Sequence, residues 1–185
     1  MPDEGRRQRQ LYGHAGLTMV FEVAERVAQL RTLNPALRLY GLVDGLQYET
    51  HRGERLDYRQ GFASLFHGTP DGALAHAGPW LVDVEAVGDG VTADMARLER
   101  EAPSVTWLMS ETDLHGLAQL LRLKLDARLP DGRIALVRFW DPRVLAELVN
   151  VLTPEQRETF FAHIHEWHLL RNGERVHIGR THADA

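Results

Sequence analysis

Short apolar runs alternating with capped helical patterns constrain this chain more than any other feature of its sequence. Arg38–Val43 (RLYGLV), Pro79–Val84 (PWLVDV) and Val105–Met109 (VTWLM) are too short for helices and largely apolar throughout, so each reads as a buried strand. Helical spacing fills much of the rest. From Leu17 the positions Leu17, Val20, Phe21, Ala24, Val27 and Ala28 recur at three- and four-residue steps. Asn34-Pro35 stops that pattern, because proline pushes its predecessor out of helical space. Thr92 caps a helix to about Arg100, closed by Pro103, and Asp113 opens another with Leu114, Leu117, Leu120 and Leu121 on one face. Asp141-Pro142 sets an N-cap before a proline at the first helical position, and that helix runs to about Val151. Thr153-Pro154-Glu155-Gln156 is a capping box whose helix reaches about Glu166.

Turn chemistry joins these pieces. Pro130-Asp131-Gly132 folds residues 125–129 back on Arg133–Trp140, and Asn172-Gly173 folds Trp167–Arg171 back on Glu174–Ile178. Asp44-Gly45 ends the first strand, Gly68–Gly72 is a turn, and a short helix is expected near Phe62–Phe66. The predicted class is α/β, with α+β as the alternative: a single mixed sheet flanked by helices, with a C-terminal helix and hairpin. One domain over residues 1–185 is expected, with a polar lead-in at 1–13 and with 153–185 able to pack as a subsidiary lobe.

Composition narrows the function classes. With 44% hydrophobic and 25% charged residues, the chain carries enough apolar material for a core and lacks the signature of disorder. A net charge of −5 disfavours phosphate neutralisation, so nucleic acid is not an expected partner. Cysteine is absent, which removes disulfides, thiolate zinc sites and thiol nucleophiles. No apolar run approaches the roughly 20 residues of a membrane-spanning helix, and Arg26 and Arg31 interrupt any leader core. A cytoplasmic location without membrane attachment is therefore expected. Arginine outnumbers lysine twenty to one, the one lysine being Lys124, so nearly every cation is a planar multi-donor guanidinium.

The densest chemical cluster is His163-Ile164-His165-Glu166-Trp167-His168. A zincin helix needs His-Glu-x-x-His, so that both imidazoles reach one metal beside the glutamate. Here His165-Glu166-Trp167-His168 is one residue short, and no third ligand is identified. Surface histidines favoured by a helix terminus are the better account, and no metal or other cofactor is expected. A small metal-dependent hydrolase built on His163–His168 is the competing enzymatic reading. Gly-Lys-Ser/Thr phosphate loops and Gly-x-Ser-x-Gly elbows are missing, and the three serines, Ser64, Ser104 and Ser110, suit no triad motif. No catalytic residue is assigned.

Several blocks read as recognition text. They are LYGLVDGLQYE, LFHGTPDGALAHAGPWLVDV, SVTWLMSETDLHGLAQLLR, LPDGRIALVRFWDPRVL and LTPEQRETFFAHIHEW, in register from about Arg38 to about Trp167. Together and in this order they resemble the adaptor, or effector-chaperone, family of bacterial type VI secretion systems. The residues that carry their motifs are Asp44, Gly45, Gly78, Pro79, Trp80, Trp107, Asp141 and Pro142.

The resemblance implies a non-enzymatic task. Such proteins bind a toxic effector in the producing cell, pass it to the secretion spike (the VgrG protein) and stay behind. Larger members carry a variable C-terminal lobe tied to cargo choice. This chain ends soon after the shared blocks, so a compact cargo surface or substitute contacts are expected. Interfaces favour Trp, Tyr and Arg as anchors. Tyr48, Arg138, Trp140 and Arg143, beside strand ends, are the expected partner-binding residues.

Overall fold

The computed structural model describes residues 22–179. The polar lead-in at 1–13 and the first turns of the expected Leu17 helix lie outside the described residues. A first helix, α1, occupies residues 22–31. Then follow β1 (Arg38–Asp44), α2 (Gly45–Arg52), β2 (Phe62–Ser64), a 3-10 helix (Pro70–Ala77), β3 (Pro79–Asp83), α3 (Asp89–Glu101) and β4 (Val105–Ser110). The second half comprises α4 (Leu114–Arg122), β5 (Asp126–Arg128), β6 (Ile134–Leu136), α5 (Pro142–Val151), α6 (Pro154–Phe161), β7 (Glu166–Arg171) and β8 (Glu174–Gly179).

Six strands form one sheet in the order β2-β3-β1-β4-β7-β8, while β5 and β6 pair separately as a hairpin. The α/β character and the flanking helices are as expected, but every strand pairing is antiparallel rather than mixed. The reason lies in the crossover through α3. β3 and β4 run the same way, yet β1 lies between them and opposes both, which is a split β-α-β arrangement. β7 pairs with β4 (Trp107 opposite His168), so the hairpin completes the main sheet.

β1, β3 and β4 are buried on both faces, which is why their sequences read as nearly continuous apolar runs. Alternation still sorts the side chains. Tyr40, Leu42, Leu81 and Leu108 join one core with Leu117 and Leu121 of α4, Leu145 of α5, Phe161 of α6, and Phe139. Leu39, Val43, Trp80, Trp107 and Met109 join the other with Val23 and Val27 of α1, Tyr48 of α2, and Met95 and Leu98 of α3.

The helix starts follow the capping chemistry. Asp113 accepts from the backbone N–H groups of His115 and Gly116, Asp141 from that of Arg143, and Thr153 with Gln156 closes a capping box. Pro142 and Pro154 occupy the first helical positions. Other expectations need correction. Residues 62–64 are a strand rather than a helix, and α3 starts at Asp89, a turn before Thr92. Asp44-Gly45 is no turn: the Asp44 carboxylate caps α2 directly from the strand end. The hairpin from the Arg133–Trp140 run extends only to Val137, whose N–H donates to the Leu125 carbonyl at 2.6 Å, and Phe139 and Trp140 turn into the core instead. The helix from Thr153 ends at Phe161 rather than about Glu166: Ala162 takes an extended ψ of 151°, His163 a left-handed φ of 67°, and the chain re-enters the sheet.

Candidate functional site

Three sequence blocks that stand far apart in the chain meet at one end of the sheet. Asp44 sits at the last position of β1, opposite Pro79 at the first position of β3, and is 5% exposed. One of its carboxylate oxygens accepts the Gln47 backbone N–H at 3.0 Å and so starts α2. The other accepts the Trp140 indole N–H at 3.2 Å. The Arg138 guanidinium lies 3.7 Å from that second oxygen and over the Trp140 ring, 5.8 Å from its centroid.

Close backbone approach holds the second block in place. The Gly45 N–H donates to the Gly78 carbonyl at 2.9 Å. A Cβ at Gly45 would stand 2.3 Å from the His76 carbonyl oxygen, and one at Gly78 would stand 2.3 Å from the Phe66 ring. Only glycine fits either position. The Trp80 indole N–H donates to the Ala75 carbonyl at 2.9 Å, which ties the 3-10 helix to β3. Phe66 meets Trp140 edge-on at 5.7 Å, linking this block to the third.

Asp141, 6% exposed, completes the arrangement. Besides capping α5 it accepts from the Arg143 side chain at 3.0 and 2.7 Å. Burial pushes its carboxyl up, but the hydrogen bonds and charge of Arg143, with the charge of Arg138, outweigh this and hold it below the usual range. The hydrogen bonds it donates to Asp141 raise Arg143 in turn.

The four expected partner-binding residues therefore divide. Tyr48 (2% exposed) and Trp140 (3%) are inside, one in each core. Burial raises the Tyr48 hydroxyl above its ordinary pKa. The Arg138 and Arg143 side chains are 58% and 71% exposed. The motif residues Asp44, Gly45, Gly78, Pro79, Trp80, Asp141 and Pro142 gather at this end, whereas Trp107 lies mid-strand in the second core. Leu46 on α2 and Leu74 on the 3-10 helix are half exposed here, and isolated leucines give no signal for that in the sequence.

The histidine cluster is dispersed. His163 lies between α6 and β7, with its carbonyl accepting the Ser110 hydroxyl at 2.7 Å. His165 pairs with Glu111 at 2.9 Å. His168 is buried in β7, with its Nε2 2.8 Å from Glu166, so it is not the surface histidine expected of a helix terminus. Burial lowers the His168 pKa against the raising effect of Glu166. Glu166 also accepts from Arg26 of α1 at 3.0 and 2.5 Å. Burial raises its carboxyl, and the bonds from Arg26 and His168 outweigh that, leaving it below its ordinary value. Among the described residues, no group of three or more His, Asp or Glu side chains is arranged to hold a metal ion.

The far end of the sheet bears a shallow groove lined by Arg31, Arg38, Glu85, Glu111 and Asp113. Its charges are matched internally: Arg31 pairs with Glu85, and Arg38 with Asp83 at 2.7 Å.

Residues 39–159 match the family described as Domain of unknown function (DUF4123). The chain belongs to that family. The DUF4123 span runs from β1 through most of α6, so it contains the whole assembly around Asp44 and Asp141 and excludes His163–His168. Among the curated proteins and solved structures compared with the chain, none matches it. No helix among the described residues is long and apolar enough to cross a membrane.

Proposed function

We propose that this protein is a non-enzymatic adaptor of a type VI secretion system, which binds an effector in the cytoplasm and loads it onto the VgrG spike. The observation that carries the reading is a coincidence of spans. The family match covers residues 39–159, and the five blocks that resemble the adaptors run from about Arg38 to about Trp167. A binding role gains support from the paired end of the sheet, where buried carboxylates hold two arginines outward. An enzymatic role draws none from the histidines, which are parted among a loop, a surface ion pair and a buried strand position.

Co-expression with the effector and spike tests the reading. The adaptor captures the effector without the spike, and effector secretion stops when the adaptor is removed. Capture of the spike but never of the effector points instead to an assembly factor. A stoichiometric transition metal in the purified protein points to an enzyme.

A further inference from the structure

The elements that meet at the Asp44 end of the sheet carry two kinds of exposed side chain. Arg138 and Arg143 present guanidinium groups whose inner sides are held by Asp44 and Asp141. Among the described residues, none accepts a hydrogen bond from the Arg138 guanidinium, which the Trp140 ring and the Asp44 charge hold in place. Arg143 uses Nε and one terminal nitrogen on Asp141, and it sits at the positive end of the ten-residue helix α5. Large apolar side chains are also exposed on the elements that pack here. Leu46 follows Gly45, which bonds to Gly78, and Leu74 lies on the 3-10 helix that accepts the Trp80 indole through Ala75. Tyr58 packs 5.1 Å from Trp80. Each of the three is more than half exposed.

We propose that this end of the sheet binds an acidic, leucine-rich segment of a protein partner. Its carboxylates meet Arg138 and Arg143, and its apolar side chains lie over Leu46 and Leu74. This rests on the adaptor reading for the existence of a partner and adds the chemistry of the segment gripped. Pre-positioned arginine forks suit carboxylates, because little side-chain freedom remains to be lost on binding. A polyanionic nucleic acid fits less well. It needs a continuous basic track, and here the positive groups are two tips backed by buried carboxylates on a chain of net charge −5.

The test uses the full chain and fluorescent synthetic peptides: one of alternating glutamate and leucine, and a twin with lysine for glutamate. The acidic peptide should bind and the basic twin should not. Affinity should fall about tenfold or more in Arg138→Glu/Arg143→Glu, and that variant should gain the basic twin. Arg138→Gln/Arg143→Gln, which places no carboxylate beside Asp141, gives the same loss if the charge-reversed protein fails to fold. Leu46→Ser/Leu74→Ser should weaken binding at every salt concentration, whereas the arginine effect should shrink as salt rises. Failure of the acidic peptide to bind, equal binding of both peptides, or displacement by oligothymidylate overturns the proposal. Arginine variants that still deliver effector to the spike at wild-type yield overturn this surface alone. An unmodified protein that captures no effector overturns the adaptor reading instead.

Discussion

Trp140 donates its indole N–H to the Asp44 carboxylate across 3.2 Å, joining positions 96 residues apart. Through that bond the segment before α5 is fastened to the junction of β1 and α2. The same carboxylate starts α2, so one side chain ends a strand, begins a helix and anchors a tryptophan.

Asp44→Ala removes the cap and leaves the Trp140 N–H unpaired in a buried position. We expect a loss of about 2–4 kcal/mol, summed from a lost cap and an unsatisfied donor. Trp140→Leu/Asp44→Ala, which removes both partners, should cost less than the sum of its single changes. Urea unfolding of the four proteins reads the coupling directly, and strict additivity would show that the bond contributes nothing.

Gly45→Ala forces a Cβ to within 2.3 Å of the His76 carbonyl oxygen, a backbone atom that cannot swing away. A destabilisation of about 1–3 kcal/mol or more is expected from overpacking. Gly90→Ala is the control, since a Cβ there meets nothing within 4 Å and Gly90 lies in α3. That change should stabilise by about 0.5–1 kcal/mol, because alanine is the better helix former. Thermal unfolding midpoints moving the same way for both variants would contradict the packing account.

Arg26→Ala strips the bidentate partner from Glu166 and unfastens α1 from β7. Glu166 is nearly buried, but the Arg26 side chain is 43% exposed, so solvent screens much of the pair. We expect a loss of about 1–2 kcal/mol. Limited proteolysis should then cut near α1 sooner than in the unmodified protein, and an unchanged digestion pattern would count against the role given to this pair.

Acid should weaken the fold through Glu166 and His168 together. Both have folded pKa values below their ordinary 4.5 and 6.5. Between the folded and ordinary values the unfolded chain binds more protons, so stability rises with pH there. The contribution of His168 is complete above about 6.5 and is lost as pH falls through its lowered value; that of Glu166 follows at lower pH. Glu99 acts the other way: burial raises its carboxyl against the Arg175 pair, so its contribution is lost as pH rises through the folded value. His168→Gln should flatten the stability profile just below pH 6.5 and leave the Glu166 portion in place. Chemical unfolding across that range measures it.

Local chemistry was the legible part. Pro142 and Pro154 behind Asp141 and Thr153 gave the starts of α5 and α6, and the apolar runs of β1, β3 and β4 gave the sheet centre, because caps and side-chain periodicity act within a few residues. The same locality misled at Asp44-Gly45, where turn chemistry and helix-capping chemistry share their residues. It misled again after Phe161, where the capped start of α6 says nothing about where the helix stops. At the site, the motif residues were readable but their exposure was not. Tyr48 and Trp140 have the composition of interface anchors and lie inside, since whether an aromatic faces solvent depends on what packs over it.

The sequence by itself determined an α/β chain of one family, its helix caps, its strand centres and its lack of thiol chemistry. Only the tertiary structure decided that the sheet is antiparallel throughout, that Arg26 meets Glu166 across 140 positions, and that Asp44, Gly78 and Trp140 share one corner. The physical reason is range. Caps and periodicity are interactions between near neighbours in the chain, whereas strand order and buried polar pairs arise from packing between segments that no local pattern ties together.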